Sequence, residues 1–512
     1  MIWRENMEKT FVCTGDFPVV ETTAGKIRGF QVDGTFTFHG VPYAQAKRFM
    51  MPEPPEAWEG IRDAHNYSCI CPLLDDESPF GDVMIPHRFW PKSEDCLTLN
   101  IWSQSIEKDA KKPVMVWFHG GGYSTGSSIE MVAYDGENLS RFGDVVVVTV
   151  NHRLNILGYF DLSEYGERYH NSGNAGQADL VEALKWVRDN IAGFGGDPGN
   201  VTIFGQSGGG GKVNAMMTTP AAEGLFHRAI LMSGVGGRRA PAPKVSRKPI
   251  AEALMAKLGL SDVSGLETVP FDELAKAYRE VAPALREQGI MAWWAPTPND
   301  WYLGDPYEVG YLDWAKDIPV MVGSVIAEWG FGPAPRGKNE MSDAGKRAII
   351  AGQFGEEYAD ELIALFRAAY PDKNELDLLS ISNRLGTMEF CGYRAETCRA
   401  KAYNYLFSFT FPYDDGKPAW HCADIPFAFH NIDKVPICHR PGISEKLEAE
   451  VAGAYVAFAR YGDPNHAGMA NWPAYTNEAP VTMFWDKCSK ASDKDLALQK
   501  LHDKVAPKGM PF

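Results

Sequence analysis

The residues Gly205-Gln206-Ser207-Gly208-Gly209 place a hydroxyl between glycines, and those glycines decide what the hydroxyl can do. The β-branched and aromatic run Val201–Phe204 predicts a buried strand leading in, and the pattern from Lys212 to Met217 predicts a helix leading out. A serine at a strand–turn–helix corner is lifted clear of the sheet edge. Its crowded neighbours must lack side chains, and the helix N-terminus aims N–H groups at any negative charge that forms there. That is the setting of an acylating nucleophile. A phosphate-binding loop is the rival for a glycine run ending in Gly211-Lys212. It fails because Gln206 stands where the first glycine is needed and Val213 where a magnesium-binding hydroxyl is needed.

A serine hydroxyl attacks only when a base takes its proton, and the base must itself be oriented. With the nucleophile on such an elbow, the acid and then the histidine follow along the chain. His421 lies on the loop beyond the expected strand Tyr403–Phe409 and is the best candidate base, with His430 the runner-up. The acid should follow the preceding strand. Glu328 stands on the loop after Ile318–Val322, whereas Asp317 precedes that strand and lies at the wrong end of the sheet. The run His119-Gly120-Gly121-Gly122 leaves an apolar strand, so its backbone can approach a ligand closely. The expected oxyanion donors are the N–H groups of Gly121, Gly122 and Gly208.

These residues need a scaffold. Continuous apolar runs at Val114–Phe118 and Val145–Val150 fit strands covered on both faces, and the apolar face of Gln177–Ile191 fits a helix. Further strands are expected at Leu97–Trp102, Ala229–Met232, Ile318–Val322, Tyr403–Phe409 and Val481–Trp485, and a small meander over Pro18–Phe38. Strands alternating with helices predict an α/β fold with a largely parallel central sheet. The proline-punctuated and helical stretches at about 237–317 and 342–399 are read as insertions, expected to cap the pocket and form its acyl-side wall. The 512 residues are expected to form a single domain.

The formal net charge of −16 argues against nucleic acid and anionic membrane partners. No stretch reaches the ~20 apolar residues of a membrane helix, and the N-terminus has no apolar signal segment. A cytoplasmic protein is expected. The nine cysteines are odd in number and irregularly spaced, with no Cys-x-x-Cys pair, so no metal is expected and reduced thiols are. Trp293, Trp294, Trp301, Trp329 and Phe331 cluster around the first insertion and the acid loop. Trp294, Trp329 and Phe331, with Gln206, are candidates for the pocket wall.

Several long blocks resemble the type-B carboxylesterase and cholinesterase family, in the right order and over nearly the whole chain. They include Phe38–Ala44, Glu94–Trp102, Asn151–Gly158, Phe194–Gly209, Leu225–Gly234 and Trp420–Phe427. The bacterial carboxylesterases of the para-nitrobenzyl esterase kind are the most similar branch. The resemblance implies an α/β-hydrolase fold, no cofactor, and ester hydrolysis through an acyl-enzyme on Ser207, His421 and Glu328. It also implies supporting roles for Ser233 and Asp424. Secreted relatives pair the cysteine matching Cys96 with an upstream one, a place Cys69 or Cys71 could fill, but the expected cytoplasmic location argues against that disulfide here. The expected partner is a small, uncharged, apolar or aromatic ester, and the oligomeric state is left at monomer or weak dimer. A catalytically dead adhesion protein is the rival from another class, but the chain keeps all three catalytic residues. An amidase or a lipase is the rival among hydrolases. One departure has a consequence: the residue before the nucleophile, usually glutamate in this family, is Gln206. Choline esters should therefore be no better substrates than neutral esters of the same acyl group, as a comparison of kcat/KM for the two would show.

Overall fold

A computed structural model describes residues 10–75, 85–238 and 245–506. Its centre is a sheet that we label by eight strands: β1 Thr98–Ser103, β2 Lys112–Phe118, β3 Val146–Val150, β4 Gly196–Gln206, β5 Arg228–Met232, β6 Val320–Val325, β7 Ala402–Phe407 and β8 Thr482–Trp485. Their spatial order is β1-β3-β2-β4-β5-β6-β7-β8. Every neighbouring pair from β3 to β8 is parallel, and β1 is antiparallel to β3. Phe30–Val32 and Thr35–Pro42 continue the sheet beyond β1, and Lys490–Ser492 pairs antiparallel with β8 at the other edge.

The apolar runs that announced these strands are divided between two cores. Along β2, Val114, Val116 and Phe118 face one core while Met115 and Trp117 face the other. Along β5, Ala229 and Leu231 face the first and Ile230 and Met232 the second. A strand with helices on both sides has no solvent face, so its sequence shows no polar alternation. Helix α1, Ala175–Asn190, covers the first face through Leu180, Leu184 and Val187. It is tied to the sheet by a buried ion pair. The Arg153 guanidinium donates to Asp179 Oδ2 at 2.9 Å and Oδ1 at 2.6 Å, and the Arg153 N–H adds a third bond at 3.0 Å.

Two expectations change. The meander over Pro18–Phe38 is divided between two sheets. Val19–Glu21 and Lys26–Arg28 join Ile61–Asp63 in a separate three-stranded sheet, while the later strands extend the main one. Alternation shows which side chains face inward but not which strand lies alongside. The insertions supply α3 Lys248–Leu258 and α4 Phe271–Glu287 before β6, and α5 Asp343–Phe354, α6 Glu356–Ala369 and α7 Leu385–Thr397 before β7. The first pair packs into the first core through Leu254, Leu274 and Tyr278, and α5 and α6 pack into the second through Phe354, Leu362 and Phe366. They are thus layers on the sheet faces. Of the described residues that line the cavity at Ser207, none comes from 237–317 or 342–399.

Removing one partner of a buried ion pair strands the other charge. Asp179→Ala should destabilise the protein by about 3–5 kcal/mol, read as a lowered thermal or denaturant midpoint.

Candidate active site

The elbow is set by strand register. β4 lies beside β2 with Gly205 opposite Phe118, so the two strands end level and the chain beyond each emerges side by side. Ser207 follows β4 with φ 57° and ψ −126°, a strained conformation for a residue with a Cβ. Its N–H donates to the Met232 carbonyl at 2.8 Å, and its own carbonyl accepts from Gly211 at 3.0 Å. Helix α2, Gly208–Met216, begins at the next residue. A Cβ on Gly209 would stand 2.0 Å from the Phe118 carbonyl, so only glycine allows this turn to pack on β2.

Gly121 and Gly122 have φ of +81° and +64°, and Gly122 lies directly over Gly208. Among the described residues, none of these three N–H groups is taken by a backbone acceptor. A Cβ on Gly208 would come within 2.2 Å of the Gly122 carbonyl.

The acid and base loops are joined backbone to backbone. Ala327 bridges Trp420, its N–H donating to the Ala419 carbonyl at 2.9 Å, and the His421 N–H donates to the Glu328 carbonyl at 3.3 Å. The side chains meet across this seam, with His421 Nδ1 2.5 Å from Glu328 Oε2. The other carboxylate oxygen accepts the Val325 N–H at 3.0 Å, so Glu328 is held from both sides. This arrangement puts the proton on Nδ1 and leaves the Nε2 lone pair as acceptor. Burial alone would lower the His421 pKa, but the charge of Glu328 and its hydrogen bond outweigh burial, and the net shift is upward from 6.5. Trp329 stacks on the imidazole with ring centroids 5.6 Å apart.

Gln206 lies over the face of the imidazole, its amide nitrogen near both ring nitrogens and 3.4 Å from Nδ1. Its Nε2 is 3.1 Å from His421 Nε2, and its Oε1 accepts from the Cys422 thiol at 3.2 Å. The imidazole is therefore bonded to Glu328 and covered by Gln206, and no hydrogen bond joins it to Ser207 among the described residues. Hydrogen bonds between nucleophile and base often close only around the substrate.

The runner-up base lies elsewhere: His430 stacks on Phe142 at 4.3 Å and faces Glu448 at 3.7 Å. Trp294 is not a pocket residue. It is 9 % exposed and packs between Phe160 and Tyr278, because helix α4 draws it into the first core. Asp424 lies behind the base, where its Oδ2 accepts the Tyr405 hydroxyl at 2.9 Å. Burial raises its pKa to about 7. The Ser233 N–H donates to the Gly323 carbonyl at 2.7 Å. Cys96 and Cys71 are buried together as thiols rather than as a disulfide.

Ser207, Gln206, Gly120, Gly121, Trp329, Phe331 and His421 line one cavity of about 490 Å³. Its remaining wall comes from residues 70–75 and 85–89 and from the loop through Glu130, Met131 and Tyr134. These were not found from sequence. They follow no motif: the segment through Glu130 and Met131 lies between β2 and β3, and it holds residues 85–89 beside the site through the His87–Met131 bridge. The cavity mouth is aromatic, with Phe89 60 % and Trp329 47 % exposed.

A hydroxyl on a strand–helix elbow, followed along the chain by acid and then base at the carboxyl ends of later parallel strands, is the order of the α/β-hydrolases. This chain has their fold. An esterase from Clostridium hathewayi, described as able to hydrolyse aliphatic aromatic polyesters, superposes with a TM-score of 0.93 at 50% identity, covering 97% of this chain and 100% of that one. The para-nitrobenzyl esterase of Bacillus subtilis is 32% identical over 91% of this chain and 94% of its own length. The phenmedipham hydrolase of Pseudarthrobacter oxydans is 31% identical over 94% and 97%. The carboxylesterase family profile matches residues 16–501. The chain belongs to the carboxylesterase family and is a serine-type carboxylic ester hydrolase. Among the described residues, no helix is long and apolar enough to cross a membrane.

The packing of Gly122 on Gly208 can be tested. Gly208→Ala should push the Gly121–Gly122 loop outward and lower kcat about tenfold or more, since small misplacements at a reacting centre are costly. The thermal midpoint should change little, because the loop lies at the cavity surface.

Proposed function

We propose that the protein hydrolyses neutral aliphatic and aryl esters through Ser207, His421 and Glu328, with the N–H groups of Gly121, Gly122 and Gly208 binding the oxyanion. The observation that carries this reading is the 2.5 Å contact between His421 Nδ1 and Glu328 Oε2, in the same cavity as a serine on a strained elbow. His421 Nε2 takes the Ser207 proton as the oxygen attacks the ester carbonyl. Glu328 stabilises the imidazolium, the glycine N–H groups stabilise the oxyanion, and the imidazolium protonates the leaving alcohol. Water then repeats the sequence on the acyl-enzyme.

The substrate class follows from the walls. Trp329, Phe331 and Phe89 offer ring faces at the mouth, and the described lining carries both signs of charge, the carboxylates Asp75 and Glu130 and the Arg88 guanidinium. That suits uncharged aromatic groups. The Clostridium hathewayi esterase supports extending the class to esters that join aromatic acids to aliphatic alcohols. We also propose that the chain works as a single domain whose insertions cover the sheet faces.

Wild type should release para-nitrophenol from the acetate, butyrate and octanoate esters, and Ser207→Ala should lose about 10⁴-fold or more of kcat. Full activity in that variant would sink the reading. Because only neutral His421 can act as base, kcat/KM should rise with pH through an inflection above 6.5. Glu328→Gln removes the charge that raises the imidazole pKa and leaves burial to lower it. The inflection should therefore move to lower pH, while the maximum falls by about 10³–10⁴ as the tautomer is lost.

A further inference from the structure

We propose that Lys212 is a positioning residue for ester hydrolysis: a buried cation that holds the Gly120–Gly122 loop against the first turn of α2 and sets positive charge behind the oxyanion. This rests on the assignment of that loop as the oxyanion site. In the sequence Lys212 stood out only as the end of a phosphate-loop pattern that fails. In the fold it lies one helical turn after Gly208, on the same face of α2.

Its side chain is fully buried, and Nζ donates to the His119 carbonyl at 3.0 Å. That carbonyl belongs to the residue that opens the glycine loop. The ammonium also lies 5.7 Å from the Tyr123 ring centroid, at the loop's other end. The Gln177 side-chain amide of α1 donates to the Lys212 carbonyl at 3.2 Å and fixes the helix from behind. Lys212 thus touches both ends of the segment whose N–H groups face the reacting carbonyl.

The groups around it make it the local source of charge. His119 and His152 stack 4.9 Å apart, and burial, with Lys212 adding to it, holds both imidazoles well below their usual pKa and neutral. Cys71 and Glu130 complete the titratable neighbours. Among the described residues, no carboxylate lies within ion-pair distance of Nζ. A buried cation without a contacting anion is costly, and an apolar side chain would serve packing better. Burial lowers the Lys212 pKa to about 7, with Glu130 opposing. The ammonium is therefore present below that pH and is lost as the pH rises through it.

The test compares wild type, Ser207→Ala, Lys212→Met and Lys212→Gln as full chains. The measurements are fluorophosphonate titration of active sites, kcat and KM for para-nitrophenyl butyrate across pH, and thermal midpoints. The expected result is that Lys212→Met loses about ten- to a hundredfold in kcat, less than removal of a donor in direct contact. KM should stay within about twofold, the midpoint should be unchanged or higher, and the alkaline fall of the wild-type pH profile should flatten. Lys212→Gln, which keeps a donor but not the charge, should regain part of kcat and none of the alkaline fall. Unchanged kcat in both variants overturns the proposal. So does a kcat loss that merely follows a fallen midpoint, or failure of both variants to fold, since each makes Lys212 a structural residue. If wild type resists the fluorophosphonate, or Ser207→Ala keeps its activity, the site assignment itself has failed, and that outcome is distinct from the others.

Discussion

The carbonyl of Phe118 occupies the space that any side chain on Gly209 would need. This backbone-to-backbone contact, between the end of one central strand and the first turn of the helix after its neighbour, is the constraint on which the rest of the site depends. It holds the two strand ends level, brings Gly120 beside Ser207, and seats Gly122 on Gly208. The strain of Ser207 persists because the flanking strands over-determine it: its N–H is bonded to the end of β5 and its carbonyl to α2. Under the proposed mechanism, a nucleophile held this way needs no search for its position, and an oxyanion forming beside it meets donors already in place.

Three histidines show how the fold assigns roles by contact. His119 and His152 are fully buried and His421 is half-buried at the cavity, and burial alone lowers the pKa of each. Only His421 has a carboxylate against its Nδ1, and only its pKa moves upward. The backbone seam between Ala327 and Trp420 makes that pairing possible, since it brings together loops that leave the sheet after two different strands. What distinguishes His421 is thus the neighbour that the sheet supplies.

The walls obey a different logic. The insertions that interrupt the strand series spend their apolar residues on the two faces of the sheet, and the described cavity lining comes from shorter loops nearer the N-terminus and from the acid and base loops. The aromatic mouth consequently combines residues far apart in sequence, Phe89 with Trp329 and Phe331. Substrate range can then vary at the exposed positions of these loops, Phe89 and Trp329, whereas Ile85 and Tyr134 line the cavity and belong to the second core as well.

What the sequence alone determined is whatever depends on local spacing. The apolar runs located each strand from β1 to β8, except that β4 begins at Gly196, five residues before the run Val201–Phe204, and the glycine pattern located the elbow. The order serine, acid, histidine, together with the place of each on a loop after a strand, selected Ser207, Glu328 and His421, which the structure brings to one site. These features were legible because strand burial and tight turns restrict residue type at fixed intervals. Only the tertiary structure decided which side chains meet across the chain. It placed Trp294 in a core while Trp329, equally aromatic, stacks on the base. It assigned the meander's strands to different sheets, set Gln206 against His421, and put Lys212 behind the glycine loop. The physical reason is that burial and hydrogen bonding are properties of pairs: a residue's type states what it can exchange with a neighbour, and the sheet's strand order states which neighbour it has.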